Sequence, residues 1–348
     1  MKLQLTTYLQ CGPFLRVLVL LLFGFFLGYF FAIDWRATAS RAYVYFHYLG
    51  SKNIRAKGPP NQLLNCSLKL FVSIPNHGLG NKLQWLGSAF VLATSSRRCL
   101  SVFIPSGEVF EDWGLTMIQH VQGLDIVSGI PDDVTTLHVD NVTDADGHNC
   151  LKVSTNCHHL SEGSIVDSFL ASSKDVSVAS GFLAFKPHSM TLMEYDFQMT
   201  EFLQHFEVLP HSLTIVDSTL QKCLKASSNG VVIGVHFRSN DNCLDHNKLS
   251  LIEGGACGKQ SQSITAVLRV LNSHKGASIF FASDNIYALA VITESLLPHG
   301  VTIVTSGSSD AIVDLRILSK THIIVGSKFS TYSYTAARWG GVSLIEAG

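Results

Sequence analysis

VVIGVHFRSND, residues 231–241, is an apolar run that leaves through His236, Arg238 and Asp241. Apolar residues at nearly every position, with no alternation, predict a strand covered on both faces, as in a parallel sheet. Such sheets bind ligands beyond the carboxyl ends of their strands, so the residue types at this exit matter. A guanidinium there can grip a pyrophosphate through two parallel hydrogen bonds, which an ammonium does less well. His236 can hydrogen-bond a base or a sugar, or can simply pack as a satisfied histidine.

Working outward, the same grammar repeats. The pattern predicts further strands at 277–282, 301–305 and 322–325. Between them lie helices whose apolar stripes are Ile264, Val267, Leu268 and Leu271, then Ile286, Leu289, Ile292 and Leu296. Asp284 closes the strand SIFFASD and should open on the same rim as Arg238. Ser330 and Thr331 follow the last of these strands and lead into a helix, where hydroxyls suit either phosphate oxygens or N-capping.

The first half carries a second such unit. A strand over 69–74 is followed by Gly78-Leu79-Gly80-Asn81, a helix with Leu83, Leu86, Phe90 and Ala93 on one face, and a strand over 100–104. Asn81 with Gln84 three residues later has the form of a capping box, which places the helix start at Asn81. Two glycines make this loop too short for the full dinucleotide fingerprint. Short apolar runs at 164–170 and 176–185 interrupt a polar middle, and 192–226 reads as mainly helical, bridging two β/α halves.

Composition bounds the function. Lys and Arg total 25 against 26 Asp and Glu, so there is no basic field for nucleic acid. Residues 17–33 are uncharged and would span about 25 Å as a helix, which predicts a membrane anchor. This leaves 1–16 as a cytosolic tail and 34–66 as a stem. The small residues Ala37-Thr38-Ala39 offer a cleaved signal peptide as the alternative, but the apolar core is long for one. Either reading delivers the body to the secretory lumen. Sequons at Asn65 and Asn141 and seven cysteines beyond the anchor agree with that. By proximity, Cys150 with Cys157 and Cys243 with Cys257 are candidate bridges, and the odd count leaves one thiol over. Asp144-Ala145-Asp146 imitates a metal-binding DxD but lies in a polar loop rather than at a strand end.

Four blocks in order, covering about a third of the chain, together resemble the inverting GDP-fucose-dependent fucosyltransferase superfamily, which includes protein O-fucosyltransferases and α1,6- and α1,2-fucosyltransferases. They are GLGNKLQWLGSAFVLATSSRRCLSVFIP at 78–105, VIGVHFRSND, IFFASDN, and DAIVDLRILSKTHIIVGSKFSTYSYTAARWGG at 310–341. The resemblance implies an α/β fold of two facing Rossmann-like domains (GT-B), here 67–225 on the acceptor side and 226–348 for the GDP-sugar. It implies transfer of fucose from GDP-fucose to a glycan or glycoprotein hydroxyl with inversion, no metal or other cofactor, and a type II Golgi or ER anchor. By motif position, Arg238 takes the pyrophosphate, His236 and Asp284 the nucleoside, Ser330 and Thr331 the phosphates, and Gly80 and Asn81 face the sugar. Asp241, Asp245 and His246 are the nearest candidates for the base; Asp241 is the closest to Arg238 in sequence. Ser239 stands where some members have a second arginine, Asn242 where some have lysine, and the chain ends soon after the last motif. Ser239 and the early end motivate the alternative of a non-catalytic sugar-nucleotide or glycan-binding relative.

Overall fold

The computed structural model describes residues 66–74, 78–118, 121–138, 171–179, 190–238, 260–327 and 330–347, all within one compact unit, Leu63–Gly348. The first half comprises β1 (Lys69–Ser73), α1 (Leu79–Ser95), β2 (Cys99–Phe103), β3 (Leu115–Met117), β4 (Leu124–Val127), β5 (Thr135–His138) and β6 (Val176–Ala179). Five of these strands form a sheet in the order β4-β2-β1-β6-β5, parallel at every pairing. Then come α2 (Leu192–Leu203), β7 (Phe206–Val208) and α3 (Pro210–Ala226), with β7 antiparallel to β3.

The second half alternates without interruption. It runs β8 (Val232–Phe237), α4 (Gln260–Ser273), β9 (Ser278–Ser283), α5 (Ile286–Leu296), β10 (Ile303–Val304), α6 (Ala311–Ser319), β11 (Ile323–Ser327), α7 (Thr331–Gly340) and β12 (Ser343–Ala347). Its sheet order is β10-β9-β8-β11-β12, again all parallel.

The expectation for 231–237 is met: all six positions of β8 are buried. Successive side chains leave a strand on opposite faces, and the core divides accordingly. Ile233, Val235 and Phe237 join Ile279, Phe281, Val267 and Ile292 on one face. Val232, Phe280, Ala282 and Ile324 join Leu315, Leu318 and Ala336 on the other. That second cluster continues through Trp113 and Phe202 to Leu70, Val72 and Leu86 of the first half, so one apolar core crosses the seam. At about 1.5–3 kcal/mol per fully buried large apolar side chain, this core is the main favourable term.

Several expectations need correcting. Helix α1 starts at Leu79 with Gly78 as its cap and no side-chain cap bond, so Asn81 and Gln84 form no capping box. The early start follows from the Gly78 carbonyl, which accepts from the N–H groups of Asn81 (2.9 Å) and Lys82 (3.2 Å). A true capping box opens α2: Thr191 Oγ1 accepts from Glu194 N, and Glu194 Oε2 accepts from Thr191 N at 2.8 Å. The helical bridge is broken by β7, because Phe206 and Val208 bury alternately against the first half. The strand expected over 301–305 shrinks to two residues, and β12 was not foreseen. A disulfide joins Cys66 to Cys99, and Cys223 is a buried free thiol.

Among the described residues no helix is long and apolar enough to cross a membrane. The expected anchor at 17–33, both sequons (Asn65 and Asn141), Asp144 and Asp146, and the Cys150/Cys157 and Cys243/Cys257 pairs lie outside the described residues.

Candidate functional site

From β8 the chain proceeds to β9 and β10 on one side, whereas β11 and β12 add on the other. The order therefore reverses between β8 and β11, and the carboxyl ends of those two strands flank a switch-point crevice. Register pairs His236 with Gly326 at that end. Just beyond, the Arg238 N–H donates to Ser327 Oγ at 2.9 Å. The Ser327 hydroxyl thus fixes the direction in which Arg238 leaves the sheet.

His236 is only 7% exposed. Its Nδ1 meets Ser333 Oγ at 2.8 Å and Ser330 Oγ at 3.4 Å, and its ring lies on Tyr332 with centroids 4.7 Å apart. Burial first, then the Arg238 charge, pulls its pKa down to about 3. It is a neutral imidazole at physiological pH, and it holds two hydroxyls in place. Gly326 makes that packing possible, because a Cβ there would lie 2.4 Å from Ser333 Oγ.

Ser330 is the N-cap residue of α7, yet its hydroxyl makes no capping bond; it turns to His236 instead. Thr331 opens the helix. The α7 N-terminus therefore points its partial positive charge at the crevice. The Tyr332 hydroxyl donates to Ala311 O, and burial raises its pKa well above the usual phenol value, with Asp314 adding to the shift.

Asp314, in the first turn of α6, was missed by sequence reading. Burial pushes its carboxyl up to about 6, against a hydrogen bond with Ser306, and its Oδ1 has no hydrogen-bond partner. The available signal was an acid inside the apolar stripe Ile312, Val313, Leu315 and Ile317.

The first sheet has its own reversal between β1 and β6. The exit of β1 leads to Gly78 and the N-terminus of α1. Gly80 lies directly on the backbone of the α7 first turn: an added Cβ would be 2.8 Å from Tyr332 Cα. Thr335 Oγ1 also donates to Gly80 O at 3.1 Å. The two switch points are thereby brought together, with two helix N-termini side by side.

The structure thus gathers His236, Arg238, Ser330, Thr331 and Gly80, with Asn81 half-buried next to Gly80. Gly80 is occupied by the close approach to Tyr332. Asp284 is exposed, one strand over from Arg238, because Phe237 pairs with Ser283 as the last register step. Ser239, Asp241, Asp245 and His246 lie outside the described residues.

The sequence matches no family model and no curated protein. Its fold does have solved counterparts. A point variant of Arabidopsis thaliana FUT1 in complex with GDP aligns with 88% of this chain and 77% of its own, at 15% identity and a TM-score of 0.51. NodZ alpha-1,6-fucosyltransferase soaked with GDP-fucose aligns with 79% of this chain and 94% of its own, at 15% identity and a TM-score of 0.50. POFUT1 in complex with GDP-fucose also aligns, at 13% identity and a TM-score of 0.47, over 84% of this chain and 99% of that one. The fold of this chain is the one found in FUT1 and NodZ.

Proposed function

We propose that the chain transfers fucose from GDP-fucose to a hydroxyl of a glycan or glycoprotein acceptor, with inversion and without a metal. One observation carries the reading: Arg238 leaves β8 at the switch point of an all-parallel sheet, beside the N-terminus of α7 and its hydroxyls. The shared fold supports it. Arg238 would neutralise the pyrophosphate as GDP departs, and preorganised charge of this kind is a large catalytic term. Ser330, Thr331 and the α7 N-terminus would hold phosphate oxygens. Asp284, exposed one strand over from Arg238, would contact the nucleoside. His236, with its pKa near 3, is too weak a base for the acceptor hydroxyl and serves as a positioning residue. Asp241 is the proposed base, and residues 17–33 the anchor that holds the body in the Golgi or ER lumen.

The test is donor selectivity. Purified residues 42–348 should be thermally stabilised by GDP and GDP-fucose, and not by UDP-sugars or NAD. They should turn over GDP-fucose in the presence of chelator. Arg238→Ala should lose about 100-fold or more of that rate, the scale for removing one preorganised donor. An unchanged rate in Arg238→Ala sinks the assignment. Ser239, in place of a second arginine, favours a second reading: a lumenal GDP-sugar binder without turnover. Calorimetry showing GDP binding but no transfer to a panel of acceptors would select it.

A further inference from the structure

Three strands of the second half end at or just before a serine: β9 at Ser283, β10 ahead of Ser306, and β11 at Ser327. Two of these serines make the local bond expected of a hydroxyl in a turn. Ser283 Oγ accepts the N–H of Asn285 at 3.1 Å, and Ser306 Oγ the N–H of Ser308 at 3.1 Å. The Ser327 hydroxyl instead crosses to the neighbouring strand, 89 residues away in sequence, and accepts the Arg238 N–H at 2.9 Å. We propose that Ser327 is a positioning residue that sets the gap between Arg238 and the N-terminus of α7, and with it the preference for a diphosphate over a monophosphate. The proposal rests on the transferase reading above.

Register explains why a side chain is needed here. The β8–β11 pairing runs as far as His236 with Gly326, and the β8–β9 pairing as far as Phe237 with Ser283. Arg238 comes after the last pair on either side, and its N–H is taken by the Ser327 hydroxyl. That hydroxyl also lies 3.5 Å from His236 O, so its proton points to β8 while its oxygen accepts from Arg238.

The main chain of Ser327 makes a second tie. Its carbonyl accepts the Ser330 N–H at 3.1 Å, at the N-cap of α7. One residue thus holds both flanks of the crevice, Arg238 by its side chain and the start of α7 by its backbone. Any substitution keeps the carbonyl, so a change of side chain isolates the Arg238 tie.

Ser327 itself is out of reach of a ligand. It is 1% exposed, whereas Arg238 and Thr331 are half-buried. Replacing it removes no contact to a nucleotide; it removes the direction of Arg238. Direction matters because a guanidinium fork must meet two oxygens in one plane. A diphosphate can bridge the guanidinium and the helix N-terminus, and a monophosphate need meet only one of them.

Ligand-observed NMR titration of the full chain in detergent micelles, with GDP and GMP as the probes, tests this. The parent should prefer GDP. In Ser327→Ala that preference should fall about tenfold, the scale of one hydrogen bond to a charged group. In an Arg238→Ala background, adding Ser327→Ala should change GDP affinity by less than about twofold, because its effect runs through the guanidinium. A merely structural serine would weaken GDP and GMP alike, and would do so equally without the guanidinium. Either of those results overturns the proposal, as does an unchanged preference in Ser327→Ala. Should Ser327→Ala give no cooperative melt, Ser327→Cys takes its place with the same expected loss, since a thiol keeps the shape but accepts weakly. If neither variant folds, the hydroxyl is structural and the proposal fails. A parent chain that binds no GDP defeats the transferase reading; a parent that binds GDP with its preference intact in Ser327→Ala defeats the positioning role alone.

Discussion

Gly80→Ala sets two rules against each other. Helix propensity alone favours alanine by about 0.5–1 kcal/mol in a helical position. Packing forbids it. The new methyl would lie 2.8 Å from Tyr332 Cα, 2.9 Å from Tyr332 N and 3.2 Å from the Thr331 carbonyl carbon. All three are backbone atoms, so no side chain can rotate away. Ordinary carbon contacts begin near 3.5 Å, so α1 and α7 must part by roughly 0.7 Å along their shared turn. A gap of that size forfeits about a quarter to a half of each contact well it opens. It also strains the Thr335 bond to Gly80 O, at 3.1 Å, worth about 1 kcal/mol. With overpacking at about 1–3 kcal/mol, the net loss should be about 1–3 kcal/mol after the propensity gain. Gly78→Ala is the control: it has φ −57° and nothing within 4 Å of an added Cβ, so it should stay within about 0.5 kcal/mol of the parent. Urea unfolding of both variants measures the difference, and the GDP-induced thermal shift should fall only in Gly80→Ala. A Gly80→Ala protein as stable as the parent would refute the claim that this glycine sets the approach of the two halves.

Other expectations follow from single contacts. Cys99→Ser should cost about 3–4 kcal/mol by the loop-closure argument for a bridge across 33 residues. Cys223, fully buried with its thiol pushed up to about 11, should resist alkylation until the protein unfolds; mass spectrometry reads this out. Arg338→Lys should destabilise by about 1–2 kcal/mol, because Nε and Nη2 both reach Asp196 Oδ1, at 3.1 and 2.8 Å, and lysine cannot reproduce that fork. Stability against pH should carry two opposed contributions. His236 binds its proton near 6.5 unfolded and near 3 folded, so its contribution is full above 6.5 and is lost as pH falls toward 3. Asp314 titrates near 3.8 unfolded and about 6 folded, so its contribution is present below 3.8 and is lost as pH rises through 6. His236→Asn should therefore flatten the loss of stability on acidification. Asp314→Asn should steepen it and raise stability at pH 7, by up to roughly 3 kcal/mol on the scale of 1.36 kcal/mol per pKa unit. Denaturant melts from pH 7 to pH 4 decide both.

The periodic features were legible in advance. An unbroken apolar run such as VVIGV has only one comfortable place, a strand covered on both faces, and β8 occupies it. Single residues at strand exits could be placed on the rim for the same reason, and Arg238 and Asp284 are neighbours there by register. Features set by register or tertiary contact were not legible. Cys66 and Cys99 are far apart in sequence and meet because Lys69 pairs with Cys99 across β1 and β2. Asn81 and Gln84 have the spacing of a capping box, but the first turn of α1 is fixed by the Gly78 carbonyl. Asp314 is an acid inside the apolar stripe of α6, but its nearness to Tyr332 and Ser306 is tertiary and could not be read from the sequence. The 192–226 segment reads as one helical stretch, since three residues of strand cannot announce themselves within it.

On the proposed function, one arginine would have to serve where the resemblance leads one to expect a pair, and backbone groups near Arg238 could share that task. His236 cannot supply charge, because burial keeps it neutral. The N-termini of α1 and α7 can: each carries roughly half a positive charge, and Gly80 is what allows them to lie side by side. The Ser330 and Ser333 hydroxyls are held by the His236 ring, and Ser330 makes no capping bond to its own helix. Asp314, near enough to Tyr332 to raise its pKa, has its own pKa raised to about 6, so its negative charge is loosely held. Positive potential at this switch point is therefore built from backbone and burial more than from side-chain cations. The Gly80 contact and the His236–Ser330–Ser333 cluster should consequently matter to a bound diphosphate as much as Arg238 does.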